Sequence, residues 1–259
     1  MREKREYRER PMQDDGSMIY GTRAVIEAIR SGKEIERLFI QQGLNNPLIH
    51  ELKDELKQSG ILYQPVPIEK LNRLTRNNHQ GVVGVVSVVS YSQTSVLVPS
   101  IFEKGEVPLL LILDRVTDTR NFGAIARTAV CTGVHGIIIP SRGSALIGAD
   151  AIKTSAGALS HIPICREDNL KHTIEYLQES GIAVVACTEK SNSFLYDGDF
   201  KKPIAIIMGS EENGDSPEYL KRADAAYKIP MIGSIASFNV SVSAGMILYE
   251  AIRQRTKIG

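Results

Sequence analysis

The chain lacks the features of several large protein classes. No apolar run in its 259 residues approaches the roughly 18–20 residues that a membrane helix needs. The N-terminal segment MREKREYRERPMQDDG is charged from its second residue and has no apolar core, so we expect no secretory signal. The formal net charge of +1 excludes nucleic-acid binding through bulk electrostatics alone. It leaves room for a local basic patch that positions a structured RNA.

Signatures of metal and nucleotide enzymes are also missing. The three cysteines, Cys131, Cys165 and Cys187, have no metal-ligand spacing, and the five histidines are scattered, so we expect no metal. We interpret the cysteines as small buried residues in a reducing cytoplasm. The chain has neither the G-x-G-x-x-G fingerprint of nicotinamide dehydrogenases after its first long aliphatic strand nor a P-loop. Both of these enzyme classes are therefore disfavoured.

The pattern divides the chain into four parts. Residues 1–16 carry five basic and five acidic side chains, which predicts a disordered charged tail. Residues 17–92 predict a small α/β unit. Residues 93–107 lack clean periodicity and hold Ser, Thr, Pro and Gly, which predicts a linker. In the small unit the predicted helices are 21–31, 46–59 and 69–75, and the predicted strands are 37–41, 61–66 and 81–89.

The fourth part, residues 108–259, alternates strands with helices. Continuous apolar strands such as PIAIIMG predict a mostly parallel sheet covered on both faces. Local pattern alone predicts an ordinary doubly wound sheet. The predicted strands are 109–114, 136–140, 161–165, 182–187, 203–209 and a short one near 226–231, and the predicted helices are 121–132, 168–180, 216–222 and 239–255.

Polar segments follow three of these strands, where open parallel sheets bind their ligands. In the first, 113–133, a strand ends at Asp114, and Asn121 begins a helix, where it is also a good N-cap candidate. Gly123 leaves room for close backbone approach. Arg127 lies two turns into this apolar helix, and we expect it to need an anionic partner, from the protein or a ligand.

The second segment, 207–220, places Gly209 and Gly214 where backbone groups can face a flat ligand. The alternative interpretation of Glu211 and Glu212 is that they are ordinary loop acids. Ser216 and Pro217 then predict a helix start, with Ser as the cap. In the third segment, 229–250, hydroxyl and amide side chains crowd the start of an apolar helix, which favours a polar ligand there. The rest of that helix is apolar almost all round, so we expect burial on more than one side.

Together the three segments resemble the three motifs of the SpoU group of SPOUT methyltransferases. The patterns DxxxDxxNxGAIxRTA, xGSExxG and IPMxGxxxSxNVSxxxG occur in the family's order within 108–255. Residues 18–92, which include NNHQGVVGVVS at 77–87, resemble the ribosomal-protein-like RNA-binding domain of bacterial 23S rRNA guanosine 2'-O-methyltransferases. The resemblance implies an α/β fold with a mostly parallel sheet, in which the C-terminal segment threads a loop to form a deep trefoil knot. Knots are a rare exception among folds.

The resemblance also implies an activity, partners and site residues. The activity is S-adenosylmethionine-dependent 2'-O-methylation of an RNA ribose, on a guanosine of 23S rRNA. The enzyme would be a cytoplasmic homodimer joined through its SPOUT domain. We expect neither a membrane partner nor a metal. The backbone of Gly209, Ile229 and Phe238 would hold the adenosyl group. By motif, the reaction site is Asn121, Arg127, Glu211, Ser237 and Asn239, and the cofactor-binding residues are Thr188, Gly209, Ser210, Gly214, Ile229, Met231 and Phe238.

Two positions depart from the family pattern, Thr119 where proline is usual and Phe238 where leucine is common. Neither change removes a polar reacting group. The family's proposed base is the arginine of the first motif, here Arg127, but a guanidinium is a very weak acid and seldom releases its proton. We favour a role for Arg127 in binding phosphate and stabilising the developing alkoxide, while a carboxylate or phosphate oxygen takes the proton.

Two alternatives remain. A tRNA ribose methyltransferase shares the catalytic motifs, although the N-terminal domain favours ribosomal RNA. A non-catalytic RNA-binding or assembly protein could share the scaffold. We would expect such a protein to have lost Arg127, Asn239 or the acid of the GSE motif, and all three are present.

Overall fold

The computed structural model describes residues 17–145, 147–209, 216–235 and 237–256. The predicted tail at 1–16 and the predicted site residues Ser210, Glu211 and Gly214 lie outside the described residues. The chain divides into two compact units, one ending at Val88 and the other beginning at Val89. Among the helices described, none is both long and apolar enough to cross a membrane.

The first unit is a four-stranded sheet in the order β1-β4-β2-β3, with helices on both faces. Strand β4 is antiparallel to β1 and β2, and β2 is parallel to β3. Because side chains alternate along a strand, Leu38 and Ile40 pack under α1 and α2, while Phe39 packs with Leu71 of α3. The elements are β1 (Met18–Tyr20), α1 (Thr22–Arg30), β2 (Ile35–Gln41), α2 (Pro47–Gln58), β3 (Gln64–Val66), α3 (Ile68–Leu74) and β4 (Val82–Val86).

The predicted helices and strands of this unit are confirmed, apart from their ends and from β1, which was not predicted.

A buried histidine fixes the loop before β4. Nδ1 of His79 accepts a hydrogen bond from the backbone N–H of Gly81 (3.0 Å), and Nε2 contacts Oδ1 of Asn72 (2.9 Å). Gly81 has a φ of +82° and lies against Leu44, so this position requires glycine.

The second unit is a seven-stranded sheet in the order β11-β9-β10-β6-β7-β8-β5, and every neighbouring pair is parallel. Helices cover both faces, which confirms the predicted layers. The elements are β5 (Tyr91–Ser92), α4 (Thr94–Glu103), β6 (Leu109–Leu113), α5 (Thr119–Cys131), β7 (Gly136–Pro140), α6 (Ala149–Ser155), β8 (Ile164–Glu167), α7 (Leu170–Glu179), β9 (Ala183–Cys187), β10 (Ile204–Met208), α8 (Pro217–Arg222), β11 (Ala225–Tyr227) and α9 (Val240–Arg255).

The segment 93–107 is not the irregular linker that its composition predicts, because it contains helix α4. Its buried residues Leu97 and Ile101 pack into the core of the second unit. The local pattern hid this helix for two reasons. Pro99 lies inside it, and the start is held by a distant carboxylate: Oε1 of Glu167 accepts hydrogen bonds from the backbone N–H (2.8 Å) and the hydroxyl (2.6 Å) of Thr94.

The cysteine interpretation is correct for only part of the set. Cys165 is buried and Cys187 is half-buried, but Cys131 is exposed at the end of α5.

Helix α6, which was not predicted, packs against α5. A Cβ atom on Gly123 would lie 2.6 Å from the backbone oxygen of Ala151, so the predicted close approach at Gly123 is confirmed, with α6 as the neighbour.

After β10 the chain forms β11 at the far edge of the sheet and returns to α9, which packs against α5. Part of this path, residues 210–215 and 236, lies outside the described residues, so the trefoil knot stays a prediction.

The C-terminal end of α9 is fixed by Arg255, and burial lowers the pKa of its guanidinium. That guanidinium donates hydrogen bonds to four backbone carbonyls, those of Val107, Pro108, Phe200 and Lys202.

Candidate active site

Three of the seven predicted cofactor-binding residues, Thr188, Gly209 and Ile229, lie at the carboxyl edge of the sheet. Strands β11, β9 and β10 are parallel neighbours, so their carboxyl ends point the same way. Thr188 follows β9, Gly209 follows β10, and Ile229 lies two residues beyond β11. Three residues separated by up to 41 positions in the sequence are thus brought to adjacent strand ends, where parallel sheets bind ligands.

This edge is held mainly by backbone hydrogen bonds. The backbone N–H of the buried Thr188 donates to the carbonyl of Tyr227 (2.8 Å), which extends the pairing of β9 with β11. Gly209 is half-buried, and Ile229 is half-buried against the core. A ligand here would meet the backbone at the strand ends and an aliphatic side chain.

The loop between β11 and α9 exposes several apolar side chains. Met231 is 37% exposed and Phe238 is 38% exposed, and both are predicted cofactor residues. Ile232 and Ile235, on the same loop, are 103% and 80% exposed. Such a concentration of exposed apolar side chains at a strand edge marks a surface that a ligand or a partner covers.

The predicted reaction-site residues Asn121 and Asn239 are in contact. The Nδ2 group of Asn239 donates a hydrogen bond to Oδ1 of Asn121 (3.2 Å) across 118 positions of sequence. Asn239 is also the N-cap of α9, because its Oδ1 accepts from the backbone N–H of Ser241 (2.9 Å) and of Val242 (3.4 Å). The first and third motifs therefore meet where α5 and α9 begin.

Asn121 is not the N-cap of α5. The cap is Asp118, whose Oδ1 accepts from the backbone N–H of Asn121 (2.7 Å), so the helix begins at Thr119. An aspartate accepts such a bond as well as an asparagine does, and sequence pattern does not distinguish two candidates three residues apart. The Asn121 side chain is thereby left to contact Asn239 instead of capping its own helix.

Arg127 and Ser237 are both exposed. Within the described ranges, the Arg127 guanidinium forms no hydrogen bond and no ion pair, so the predicted anionic partner is not found there. Ser237 lies two residues before the N-cap of α9. Both side chains therefore face solvent, and a ligand can reach them.

Asp114 is a residue at this edge to which the sequence analysis gave no role. Its carboxylate is buried directly after β6 and accepts two hydrogen bonds from Arg115, from Nε (3.1 Å) and Nη2 (2.9 Å). Oδ2 also accepts from the backbone N–H of Ser216 (3.0 Å), which fixes the start of α8 beside the end of β6. Ser216 occupies the predicted N-cap position, but its side chain makes no capping hydrogen bond. The sequence signal that could have identified Asp114 is an acidic residue placed directly after a fully buried strand.

No cluster of three or more metal-ligating side chains occurs in the part of the chain that the structure describes.

Comparison with known proteins then decides the family. Residues 108–249 match the SpoU rRNA Methylase family, and residues 18–92 match the substrate-binding domain of RNA 2'-O ribose methyltransferases.

The chain belongs to the SpoU methylase family. The predicted family and its reaction class, transfer of a methyl group to an RNA ribose 2'-oxygen, are therefore confirmed. Among the relatives of this SpoU methylase is a putative TrmH family tRNA/rRNA methyltransferase, YacO, from Bacillus subtilis. It is 35% identical over 96% of this chain and 100% of its own length.

Solved structures of SpoU relatives share the fold. The AdoMet-bound rRNA methyltransferase from Sinorhizobium meliloti has a TM-score of 0.56 and 29% identity, over 91% of this chain and 86% of its own. The TrmH/SpoU tRNA modifying enzyme from A. aeolicus has a TM-score of 0.53 and 31% identity, over 62% of this chain and 83% of its own.

Proposed function

We propose that this SpoU methylase transfers the methyl group of S-adenosylmethionine to a ribose 2'-hydroxyl of 23S rRNA, on a guanosine, in the cytoplasm. The observation that carries the proposal is the contact between Asn121 and Asn239 at the start of α5. Helix α5 follows β6, and β6 lies beside β10 in the same parallel sheet whose strand ends carry Thr188, Gly209 and Ile229. In this proposal residues 17–92 bind the RNA substrate and residues 108–259 form the methyltransferase domain.

The described residues fit the adenosyl part of the cofactor. An adenine ring is flat and needs an apolar contact surface together with hydrogen-bond partners at its edge. Ile229, Met231 and Phe238 supply exposed or half-exposed apolar surface beside the strand ends. In our proposal the backbone groups of Gly209, Ile229 and Phe238 hold the adenosyl group. The AdoMet-bound relative from Sinorhizobium meliloti supports the choice of cofactor.

When bound, S-adenosylmethionine supplies a methyl group on a sulfonium that acts as its own leaving group. The residues of this chain must orient the 2'-hydroxyl and help its proton to leave. Asn239 and Ser237 orient the hydroxyl by hydrogen bonds in our proposal, and Asn121 positions the Asn239 amide. Glu211, outside the described residues, is proposed to accept a further hydrogen bond by its place in the motif.

Arg127 has the exposure that its proposed role requires. A guanidinium binds a phosphate with two parallel hydrogen bonds and remains charged at any physiological pH. In our proposal Arg127 binds the phosphate of the target nucleotide and stabilises the developing alkoxide. The proton passes to a carboxylate or phosphate oxygen, because an arginine seldom releases one.

The choice of ribosomal RNA over tRNA rests on the N-terminal unit. The tRNA modifying enzyme from A. aeolicus aligns with only 62% of this chain, whereas the rRNA methyltransferase from Sinorhizobium meliloti aligns with 91%. The difference between these two aligned shares of the chain corresponds to the length of the substrate-binding domain matched at residues 18–92. A tRNA ribose remains the second candidate, because the B. subtilis relative is named for both RNA classes.

We also propose a homodimer joined through α9. The expected burial of this helix on more than one side is not met among the residues that the structure describes, which bury the side carrying Ala244, Leu248 and Ala251. The opposite side exposes Val242 (48%), Met246 (38%) and Tyr249 (65%), spaced four and three residues apart. This spacing forms one apolar stripe on the helix, and a second copy of the chain would bury it.

Methyl transfer can be tested directly. The protein is incubated with tritium-labelled S-adenosylmethionine and, separately, with 23S rRNA, 16S rRNA or total tRNA, and the labelled nucleotide is mapped. We expect label on one guanosine 2'-oxygen of 23S rRNA. Label confined to tRNA would overturn the substrate assignment. Cofactor binding without label on any RNA, including assembling ribosomal particles, would favour the non-catalytic alternative.

A further inference from the structure

Two stacked aromatic rings stand on the surface beside the proposed cofactor edge. Phe194 and Tyr196 lie in the connection between β9 and β10, with ring centroids 5.2 Å apart and an angle of 17° between the ring planes. Phe194 is half-buried, whereas Tyr196 is 58% exposed. Tyr196 is therefore the outer ring of the pair. Throughout the described ranges, its side chain forms no hydrogen bond.

The main chain holds this pair rigidly. Phe194 forms a parallel bridge with Lys228, in which the Leu195 N–H donates to the Lys228 carbonyl (2.8 Å) and the Lys228 N–H donates to the Ser193 carbonyl (2.9 Å). Leu195, between the two rings in sequence, is buried in the core. The backbone that carries the rings is therefore held in place, which lowers the conformational freedom lost on binding.

A positive charge lies over the inner ring. Nζ of Lys228 is 5.0 Å from the centroid of Phe194, within the range of a cation–π interaction. In the part of the chain that the structure describes, this ammonium has no carboxylate partner. Nearby Asp197 accepts a backbone hydrogen bond, from Phe194, so its carboxylate is engaged locally.

The position of the pair links it to the proposed reaction. Lys228 immediately precedes Ile229, a proposed cofactor residue, and the connection that carries the rings begins at Thr188. A flat exposed ring beside an unneutralised ammonium matches the chemistry of an unpaired nucleotide. The base has a π face that stacks on aromatic side chains, and the phosphate is an anion.

We propose that Tyr196, backed by Phe194, stacks an unpaired RNA base near the target nucleotide, and that Lys228 contacts an adjacent phosphate. This inference deepens the proposed function and rests on it for the choice of RNA as the ligand. An unpaired base fits better than a duplex, because bases inside a helix offer no free face for stacking.

The chain contains no tryptophan, so Y196W creates a single fluorescent reporter that also preserves a flat aromatic ring. The probes are a single-stranded oligoribonucleotide, the same sequence in a duplex, and S-adenosylmethionine alone. We expect the single strand to quench the emission of Y196W and the other two probes to leave it unchanged. F102W, at an exposed position on α4, is the matched control and should respond to none of them. Quenching of Y196W by S-adenosylmethionine alone would overturn the proposal and assign the ring to the cofactor.

Affinity measurements complete the test. Y196A should weaken binding of the single strand by about tenfold, whereas Y196F, which keeps the ring, should bind it with an affinity near that of the parent. The KM for S-adenosylmethionine should stay near the parent value. K228Q should lower the slope of log affinity against log salt by about one, the loss of one phosphate contact. Unchanged RNA affinity in Y196A, or a changed sedimentation mass that marks a protein interface, would refute the proposal. Methyl transfer is scored separately, so RNA-dependent quenching without transfer would contradict only the proposed function.

Discussion

The Nδ2 group of Asn239 donates a hydrogen bond to Oδ1 of Asn121 at 3.2 Å, and this hydrogen bond joins the starts of α9 and α5. Oδ1 of Asn239 meanwhile caps α9. The two ends of one amide thus perform two different tasks. The oxygen stabilises a helix, and the nitrogen connects two motifs that the family places in the reaction site.

These tasks can be separated by substitution. Asn239→Asp keeps the capping oxygen but has no N–H to donate to Asn121, whereas Asn239→Ala loses both. We expect Asn239→Ala to lower the free energy of unfolding by about 1 kcal/mol and Asn239→Asp to leave it unchanged. Both variants should lower kcat for methyl transfer by about 100-fold. Denaturant unfolding and single-turnover transfer measure the two effects, and normal transfer by Asn239→Asp would contradict the proposed role.

Arg127 should matter for turnover and little for folding, because its side chain is exposed. Arg127→Lys keeps the charge but loses the planar guanidinium, so we expect at least about a tenfold loss of kcat with a small change in melting temperature. Arg120→Lys, on the same helix, is the matched control for a general loss of guanidinium groups from α5. Near-normal turnover of Arg127→Lys, with RNA affinity also unchanged, would refute a specific guanidinium role.

The exposed stripe on α9 predicts the effect of a charge placed on it. Tyr249 is 65% exposed, so Tyr249→Glu should not disturb the core of the chain. It should convert a dimer to a monomer, because an unpaired carboxylate would be buried at the interface. Sedimentation equilibrium measures the mass, with Tyr249→Phe as the control that keeps an aromatic ring. The dimer proposal would fail if the parent protein were a monomer, or if Tyr249→Glu remained a dimer.

Cys165 should make stability depend on pH in the alkaline range. Burial raises the pKa of its thiol from an ordinary value of 9.0 to about 11. The thiol therefore ionises earlier in the unfolded chain, so its contribution is complete below pH 9 and is lost as the pH rises towards 11. The loss amounts to about 2–3 kcal/mol. Urea unfolding of the parent and of Cys165→Ala between pH 8 and 11 measures it, and we expect a shallower decline in the variant. Parallel declines would contradict this assignment.

Most of the elements follow from local pattern. The strand at 109–113 is a continuous aliphatic run and the helix at 170–179 has apolar residues at helical spacing, so each was predictable from neighbouring residues. The same holds for the polar residues at strand ends, because the order strand, polar turn, helix is visible in the chain itself. The site residues then came from the resemblance of these segments to the SpoU motifs.

Tertiary structure alone decided which of these residues meet. Strand β9 lies between β10 and β11, and this order brings Thr188, Gly209 and Ile229 to one edge. The start of α4 depends on Glu167, 73 positions away, and the start of α8 on Asp114, 102 positions away.

The sequence by itself determined the family, the reaction class and the residue types available to the site, because these depend on short motifs. The partners of Asn121, Thr94 and Ser216 were decided only when the sheet assembled. Their hydrogen bonds join segments that no local propensity connects, and only the assembly of the sheet brings those segments within hydrogen-bonding distance.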